Sequence, residues 1–224
     1  MLLLSVDSSA VTASAALTEN GRVIKSELIN KGLTHSETLL PLIEAVMDGN
    51  AYQSLDAIAV TAGPGSFTGV RIGVATVKGI AFSFDIPCIS VSTLEAIAYN
   101  FLDENAVICA VMDARRMQFY NALFKAENGK ITRLCKDRAI SLEDLRENLK
   151  NYENVIIAGD GAELCYHHLN LENTALASEE KRYQNGVGVS KAAENKKTIK
   201  AEALMPVYLR LSQAERELKL KKEN

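Results

Sequence analysis

Ala62-Gly63-Pro64-Gly65-Ser66-Phe67-Thr68-Gly69-Val70-Arg71-Ile72-Gly73 joins two segments of different character. Residues 55–61 before it read as an apolar strand, and residues 71–84 after it as a helix that is apolar almost all round. The glycines and the proline add no packing bulk. They set a tight strand-to-helix loop whose backbone N–H groups point outward at the start of the helix. That geometry serves either of two ends. It can hold an anion, which unpaired N–H groups and the helix dipole both favour, or it can let the helix lie close on its strand. Generic phosphate motifs do not fit. A dinucleotide fingerprint needs its third glycine at Thr68, one residue before Gly69, and a P-loop needs Gly-Lys-Ser/Thr where Gly69-Val70-Arg71 stands.

Outward from this loop the chain echoes itself. Residues 2–6 are an apolar run ending in Asp7, followed by a small-residue strand over 11–17 and the turn Glu19-Asn20-Gly21. Residues 107–112 are an apolar run ending in Asp113, followed by a strand over 117–124 and the turn Glu127-Asn128-Gly129. Asn-Gly marks a hairpin because both residues tolerate positive φ. The glycine loop returns as well, Ala62-Gly63-Pro64-Gly65 in the first copy and Ala158-Gly159-Asp160-Gly161 in the second. Thr34-His35-Ser36-Glu37, Ser92-Thr93-Leu94-Glu95 and Ser141-Leu142-Glu143-Asp144 read as helix starts, the first two as capping boxes. Leu39, Leu42, Ile43 and Val46 make an apolar stripe at helical spacing, with Pro41 expected to kink that helix. Each half thus reads as three antiparallel strands, a helix and a further strand. The expected organisation is a duplicated α/β fold, with one lobe over 1–104, a second over 105–211 and a charged tail over 212–224. In the tail, Leu218 and Leu220 are too few to pack securely.

The 224 residues carry a net charge of −3, with a pI near 5.7. That argues against a chain that grips nucleic acid unaided. Cys88, Cys109, Cys135 and Cys165 lack paired spacing and lie in or near apolar runs, so buried thiols in a reducing compartment are expected. No signal peptide is expected at the start, and no apolar run is expected to reach the roughly 20 residues of a membrane span. The expectation is a cytoplasmic protein without a membrane contact.

Five blocks together carry a family resemblance. They are Ser5-Val6-Asp7-Ser8-Ser9; His35-Ser36-Glu37 with Leu39-Leu40-Pro41; residues 63–73 with Lys78-Gly79; Met112-Asp113-Ala114-Arg115-Arg116; and Pro206-Val207-Tyr208-Leu209-Arg210. In this order they resemble the bacterial TsaB family, also called YeaZ, from Leu2 to about Arg210. The resemblance implies the actin/Hsp70/sugar-kinase (ASKHA) fold, with two RNase-H-like lobes. It implies a non-catalytic subunit that pairs with TsaD, a paralogue that transfers a threonylcarbamoyl group to the adenosine beside the anticodon of tRNAs reading ANN codons. It also implies TsaE, an ATPase, as a further partner of the pair, a homodimer when TsaD is absent, and only indirect contact with tRNA. No cofactor of its own is expected, with ATP or ADP a candidate at the contact with TsaD.

The resemblance places that contact on the helices over 34–47 and 70–84. The implied interface residues are His35, Leu39, Leu42, Ile43, Val46, Arg71, Gly73, Val74, Val77, Lys78 and Ala81. The small and apolar composition of the second helix reads the same way, since glycines inside a helix cost about 1 kcal/mol each unless something packs close. A central helix between the lobes of a monomer is the alternative. Candidate anion or nucleotide contacts are Asp7, Ser8, Gly63, Gly65, Ser66, Gly69 and Arg115. TsaD holds its metal on a His-x-x-x-His helix, but here Leu39 stands four residues after His35, and His167 and His168 lie in the other half. No metal is expected, because one imidazole on a helix is not a site. Asp7 and Asp113 end equivalent strands and read as turn residues rather than as Mg²⁺ ligands. Arg115 could neutralise Asp113, hold an anion or stay solvated. Two other functions remain to be weighed: an autonomous ATPase or kinase-like enzyme, and a peptidase, for which no nucleophile–histidine pattern is present.

Overall fold

A computed structural model describes residues 1–30 and 34–210; the charged tail inferred from the sequence lies outside the described residues. The first half contributes β1 (Leu2–Asp7), β2 (Ala13–Glu19), β3 (Arg22–Ile29), α1 (His35–Met47), β4 (Ala57–Gly63), α2 (Phe67–Phe84), β5 (Cys88–Ser92) and α3 (Thr93–Ala98). The second contributes β6 (Ala106–Asp113), β7 (Gln118–Glu127), β8 (Lys130–Arg133), β9 (Arg138–Ser141), α4 (Leu142–Leu149), β10 (Val155–Ala158), α5 (Ala162–Leu169), β11 (Thr174–Leu176), α6 (Glu179–Arg182) and α7 (Gly186–Ala193). The first sheet runs β3-β2-β1-β4-β5 and the second β8-β7-β6-β10-β11, with β9 also pairing β7. In each sheet the first three strands are antiparallel and the last two parallel to the first. The duplication read from the sequence is therefore a duplication of topology: two RNase-H-like lobes on the ASKHA fold. The hairpin turns behave as their residues require, with Asn20 and Gly21 at φ 49° and 80°, and Asn128 and Gly129 at 52° and 73°.

The central strands are buried on both faces, so their residues alternate between two cores. Leu4, Val6, Ile58 and Val60 face α1 and α2, while Leu3, Ala57, Ala59, Ile89 and Val91 face α7. In the second sheet Cys109, Val111 and Leu123 face α4 and α5, and Ile108, Ala110, Met112 and Phe124 face Leu94, Ile97 and Phe101 at and just after α3. The two lobes exchange cover. Helix α3 from the first half packs on β6 and β7, α7 from the second half packs on β1 and β2, and the two helices pack on each other.

The helix starts differ in detail. Ser92 and Ser141 cap as read, accepting from the N–H of Glu95 (3.3 Å) and Asp144 (3.1 Å). Thr34 caps α1 only through its backbone carbonyl, which accepts from the N–H of Glu37 (3.0 Å) and Thr38 (3.2 Å); its side chain makes no capping bond, so the capping box read there does not form. Helix α1 runs through Pro41, which lies on its exposed side. At 18 residues α2 has the length and apolar composition of a membrane span, which corrects the reading that no run approaches one. Here it lies along the sheet, with Val70, Val74, Val77 and Ala81 buried.

The small residues of α2 are accounted for within the chain at one end and not at the other. A Cβ at position 69 would land on the Ser8 carbonyl oxygen, and one at 73 on the Ser8 hydroxyl. A Cβ at position 79 would meet nothing within 4 Å. Gly69→Ala should therefore destabilise the protein by about 1–3 kcal/mol through forced backbone shifts. Gly79→Ala should stabilise it by about 1 kcal/mol from helix propensity. Urea melts of the two variants check the opposite signs.

Candidate functional site

Strand order brings the ends of β1, β4, β6 and β10 to one place, the mouth between the lobes. The two glycine loops meet there in the same backbone conformation, Gly63 at φ 118° and Gly159 at φ 115°. Neither position tolerates a Cβ, which would strike the carbonyl oxygen of Val207 in one case and of Val111 in the other. Between the loops lies a cavity of about 740 Å³. One wall is the start of α2, with Gly65, Ser66, Phe67 and Thr68; the other carries Asp113, Arg115, Tyr120, Asp160 and Tyr183.

The strap over 199–210 closes one side of this cleft. It pairs with β5 through Ile199 and Cys88, and Val207 donates to the Ala62 carbonyl at 2.7 Å. Tyr208 stacks on Phe67 at 4.6 Å, and Arg71 lies 3.8 Å over that ring while donating to the Tyr208 hydroxyl at 2.8 Å. Arg210 then crosses to the second lobe, its Nη1 donating to the Ala114 carbonyl at 2.7 Å.

The electrostatics of the floor are lopsided. Asp7 is fully buried; its Oδ1 accepts from Ser9 Oγ (2.7 Å) and Thr61 Oγ1 (2.6 Å), and its Oδ2 has no partner among the described residues. Burial raises its pKa despite those two bonds. Asp113 accepts the N–H of Arg115 at 2.7 Å, the turn role read from the sequence. Arg115, Arg116 and Met117 follow in the left-handed region, at φ 68°, 57° and 55°. Asp160 Oδ1 is sealed from solvent without a hydrogen bond, and burial, then Asp113, then Asp7 push this carboxyl up to about 7. None of the three carboxylates forms an ion pair among the described residues.

The candidate anion contacts are split by the fold. Gly65, Ser66 and Arg115 line the cavity. Gly69 and Ser8 serve packing instead, with Ser8 Oγ donating to the Gly69 carbonyl at 2.8 Å, and Gly63 lies under Val207. Ser66 Oγ is engaged as the cap of α2, accepting from the Gly69 N–H at 3.3 Å. His35 is held at the edge of this packing, Nε2 donating to the Ala10 carbonyl at 2.6 Å. No group of three or more His, Cys, Asp or Glu side chains stands close enough to hold a metal among the described residues. Sequence reasoning passed over Asp160, Thr12, Tyr120, Tyr183 and Arg210. The signal for Asp160 was present in the repeated loop, where it takes the place of Pro64.

The interface residues need a correction. Leu39, Leu42, Ile43 and Val46 of α1 and Gly73, Val74, Val77 and Ala81 of α2 are buried in the chain's own core, because both helices turn their apolar stripes to the sheet. No partner is needed to cover them. Lys78 is half-buried and donates to the carbonyls of Glu202 (3.3 Å) and Leu204 (3.1 Å). Of the residues named, Arg71 is exposed and His35 half-buried. The outward face consists of Leu40, Pro41 and Ala45 on α1 and Thr68, Arg71, Ala75, Gly79 and Phe82 on α2, with Phe82 54% exposed.

A buried acid whose pKa is raised binds its proton more tightly in the folded state than in the unfolded one. Its contribution to stability is therefore intact near pH 4 and falls as pH rises to about 7. Asp160→Asn removes this loss. The variant should match the wild type near pH 4 and exceed it by a few kcal/mol at about pH 8, read from paired chemical melts across that range.

Comparison with known proteins agrees with this architecture. A sequence model of the family described as TsaD, tRNA N6-adenosine threonylcarbamoyltransferase, matches residues 30–218. The chain is 31% identical over 222 residues to the tRNA threonylcarbamoyladenosine biosynthesis protein TsaB of Bacillus subtilis, covering 96% of each. It is 30% identical to the protein of the same name from Haemophilus influenzae, covering 94% of each. The solved structure of YeaZ from Pseudomonas aeruginosa superposes with a TM-score of 0.78 at 26% identity, over 93% of this chain and 99% of that one. Identity over nearly the whole length, on a fold of matching topology, makes this chain a member of the TsaB (YeaZ) family.

Proposed function

We propose that the chain serves the formation of threonylcarbamoyladenosine in tRNA as the non-catalytic partner of TsaD. The observation that carries this reading is the full-length likeness to proteins named for that biosynthesis. Two features of the chain support the non-catalytic part. Helix α1 has Leu39 where a second histidine would stand, and Leu39 is buried in the core, where a ligand could not reach a metal. The cleft presents two carboxylates, Asp113 and Asp160, without a paired cation, a poor seat for the phosphates of a nucleotide. ATP or ADP in the assembly would then depend on groups that TsaD adds, and TsaE would join the pair rather than this chain alone.

The outward face of α1 and α2 is the surface proposed for TsaD, and for a second copy of the chain when TsaD is absent. Leu40 and Phe82 are large and exposed, and Ala75 and Gly79 between them let a facing helix come close. Charge placed at the buried positions would report folding rather than association. Charge placed at Ala75 tests the surface itself, because burying it unpaired costs several kcal/mol. Ala75→Arg should melt like the wild type, bind TsaD at least about tenfold more weakly and fail to support threonylcarbamoyl incorporation into tRNA. Light scattering and a tRNA modification assay with TsaD of the same organism read both effects. Normal association of the folded variant would move the contact elsewhere. ATP hydrolysis by the lone chain, lost in Asp7→Ala, would establish the autonomous enzyme instead.

A further inference from the structure

Along its length α2 has α1 on one side and the strap over 199–210 on the other. α1 lies over β2 and β3, α2 over β4 and β1, and the strap pairs with β5. The strap runs back along the helix. Lys78 donates to the carbonyls of Glu202 and Leu204, and Arg71, about two turns earlier, donates to the Tyr208 hydroxyl. Residues 202–208 are therefore a third ridge beside the two helices. Its outer side is apolar: Met205 is 62% and Val207 50% exposed, with Tyr208 exposed next to them. The ridge is held by backbone groups, by Tyr208 and by buried Leu204. The side chains of Met205 and Val207 take no part in holding it.

Arg71 stands where this ridge meets α2. Its guanidinium lies 3.8 Å over the Phe67 ring and 5.6 Å from the centre of the Tyr208 ring, with Nε bonded to the Tyr208 hydroxyl. It forms no ion pair among the described residues, and its Nη atoms have no hydrogen-bond partner among them. A guanidinium held between two rings has already lost much of its rotamer freedom. A carboxylate that meets it pays less to order it, and the open Nη atoms suit such a group. Arg, Tyr, Phe and Met are also the residue types enriched at interface cores, where a few side chains carry most of the binding energy.

We propose that the surface for TsaD takes in the strap, and that the segment of TsaD seated there carries a carboxylate for Arg71 and apolar side chains over Met205 and Val207. This rests on the reading of the outward face of α1 and α2 as the TsaD contact, and deepens it. Continuity of the surface names the occupant. Arg71, Ala75 and Gly79 follow one another at helical spacing along the exposed strip of α2, and the strap adjoins that strip at Arg71. A partner laid along α2 reaches Tyr208, Val207 and Met205 without leaving the surface.

Light scattering of the full chain, alone and with TsaD of the same organism, tests this together with chemical melts. Ala75→Arg reports α2, Met205→Glu the strap and Arg71→Gln the carboxylate. Met205→Glu should melt like the wild type and bind TsaD at least about tenfold more weakly, because its charge would be buried unpaired. Arg71→Gln should bind about fivefold more weakly. Raising salt from about 0.05 M to about 0.5 M should weaken the wild type by a larger factor than Arg71→Gln, since the variant has no ion pair there to screen. Loss of binding in Ala75→Arg with wild-type binding by Met205→Glu would overturn the proposal and leave the helical contact standing. Wild-type binding by all three variants would overturn that contact as well. A melt of Met205→Glu well below the wild type would assign the ridge to the chain's own fold. Lost self-association with unchanged TsaD binding would assign it to a second copy. Either result overturns the proposal, and equal salt dependence of the wild type and Arg71→Gln overturns the carboxylate.

Discussion

The seating of α2 on the turn after β1 is the constraint from which the rest of the first lobe follows. Gly69 and Gly73 bring the helix so near Ser8 that a methyl group at either place would overlap it, and Ser8 answers by donating to the Gly69 carbonyl. Ser66 N–H donates to the Ser9 carbonyl at 2.7 Å, tying the loop to the same turn from the other side. With the helix held there, its apolar stripe meets Val60 and its neighbours, and the end of β1 is closed over Asp7. The two readings of the glycine loop are thus divided along its length. The glycines at 69 and 73 serve close packing, and Gly65 and Ser66 are left at the open end facing the cleft.

Most of the architecture was legible because it depends on local rules. The Asn-Gly turns, the apolar runs ending in Asp7 and Asp113, and the serine caps each follow from a few adjacent residues. What escaped was short or lacked a period of its own. β9 and β11 have four and three residues, and among the described residues β11 pairs with β10 alone. α5 carries His167 and His168 on its exposed side and Ala162, Cys165 and Leu169 on its buried one, a stripe too brief to stand out.

The misreading of the helix faces has a physical lesson. α2 is apolar nearly all round, and from composition a second apolar face calls for a second partner. In the fold one side is occupied by the sheet, the flanks by Ile72 and Ile80 at the edge of the core, and only the outermost strip stays bare. A sequence pattern shows how many sides of a helix are apolar but not which one meets the core. The cleft was hidden for a related reason. Thr12, Tyr120 and Asp160 come from distant parts of the chain and line one cavity only once the two lobes face each other.

The exchange of α3 and α7 between the sheets sets how this chain can be divided. A fragment ending near residue 105 would keep α3 but lose the helix that covers Leu3, Ala57 and Ile89. The complementary fragment would keep α7 but lose Leu94, Ile97 and Phe101, which lie on Met112 and Phe124. Each piece would hold a bare sheet face and a helix with nowhere to lie. The repeat visible in the sequence is therefore not a seam in the folded protein; cut there, the two pieces have the complementary surfaces of a fragment-complementation pair, each supplying the other's missing layer.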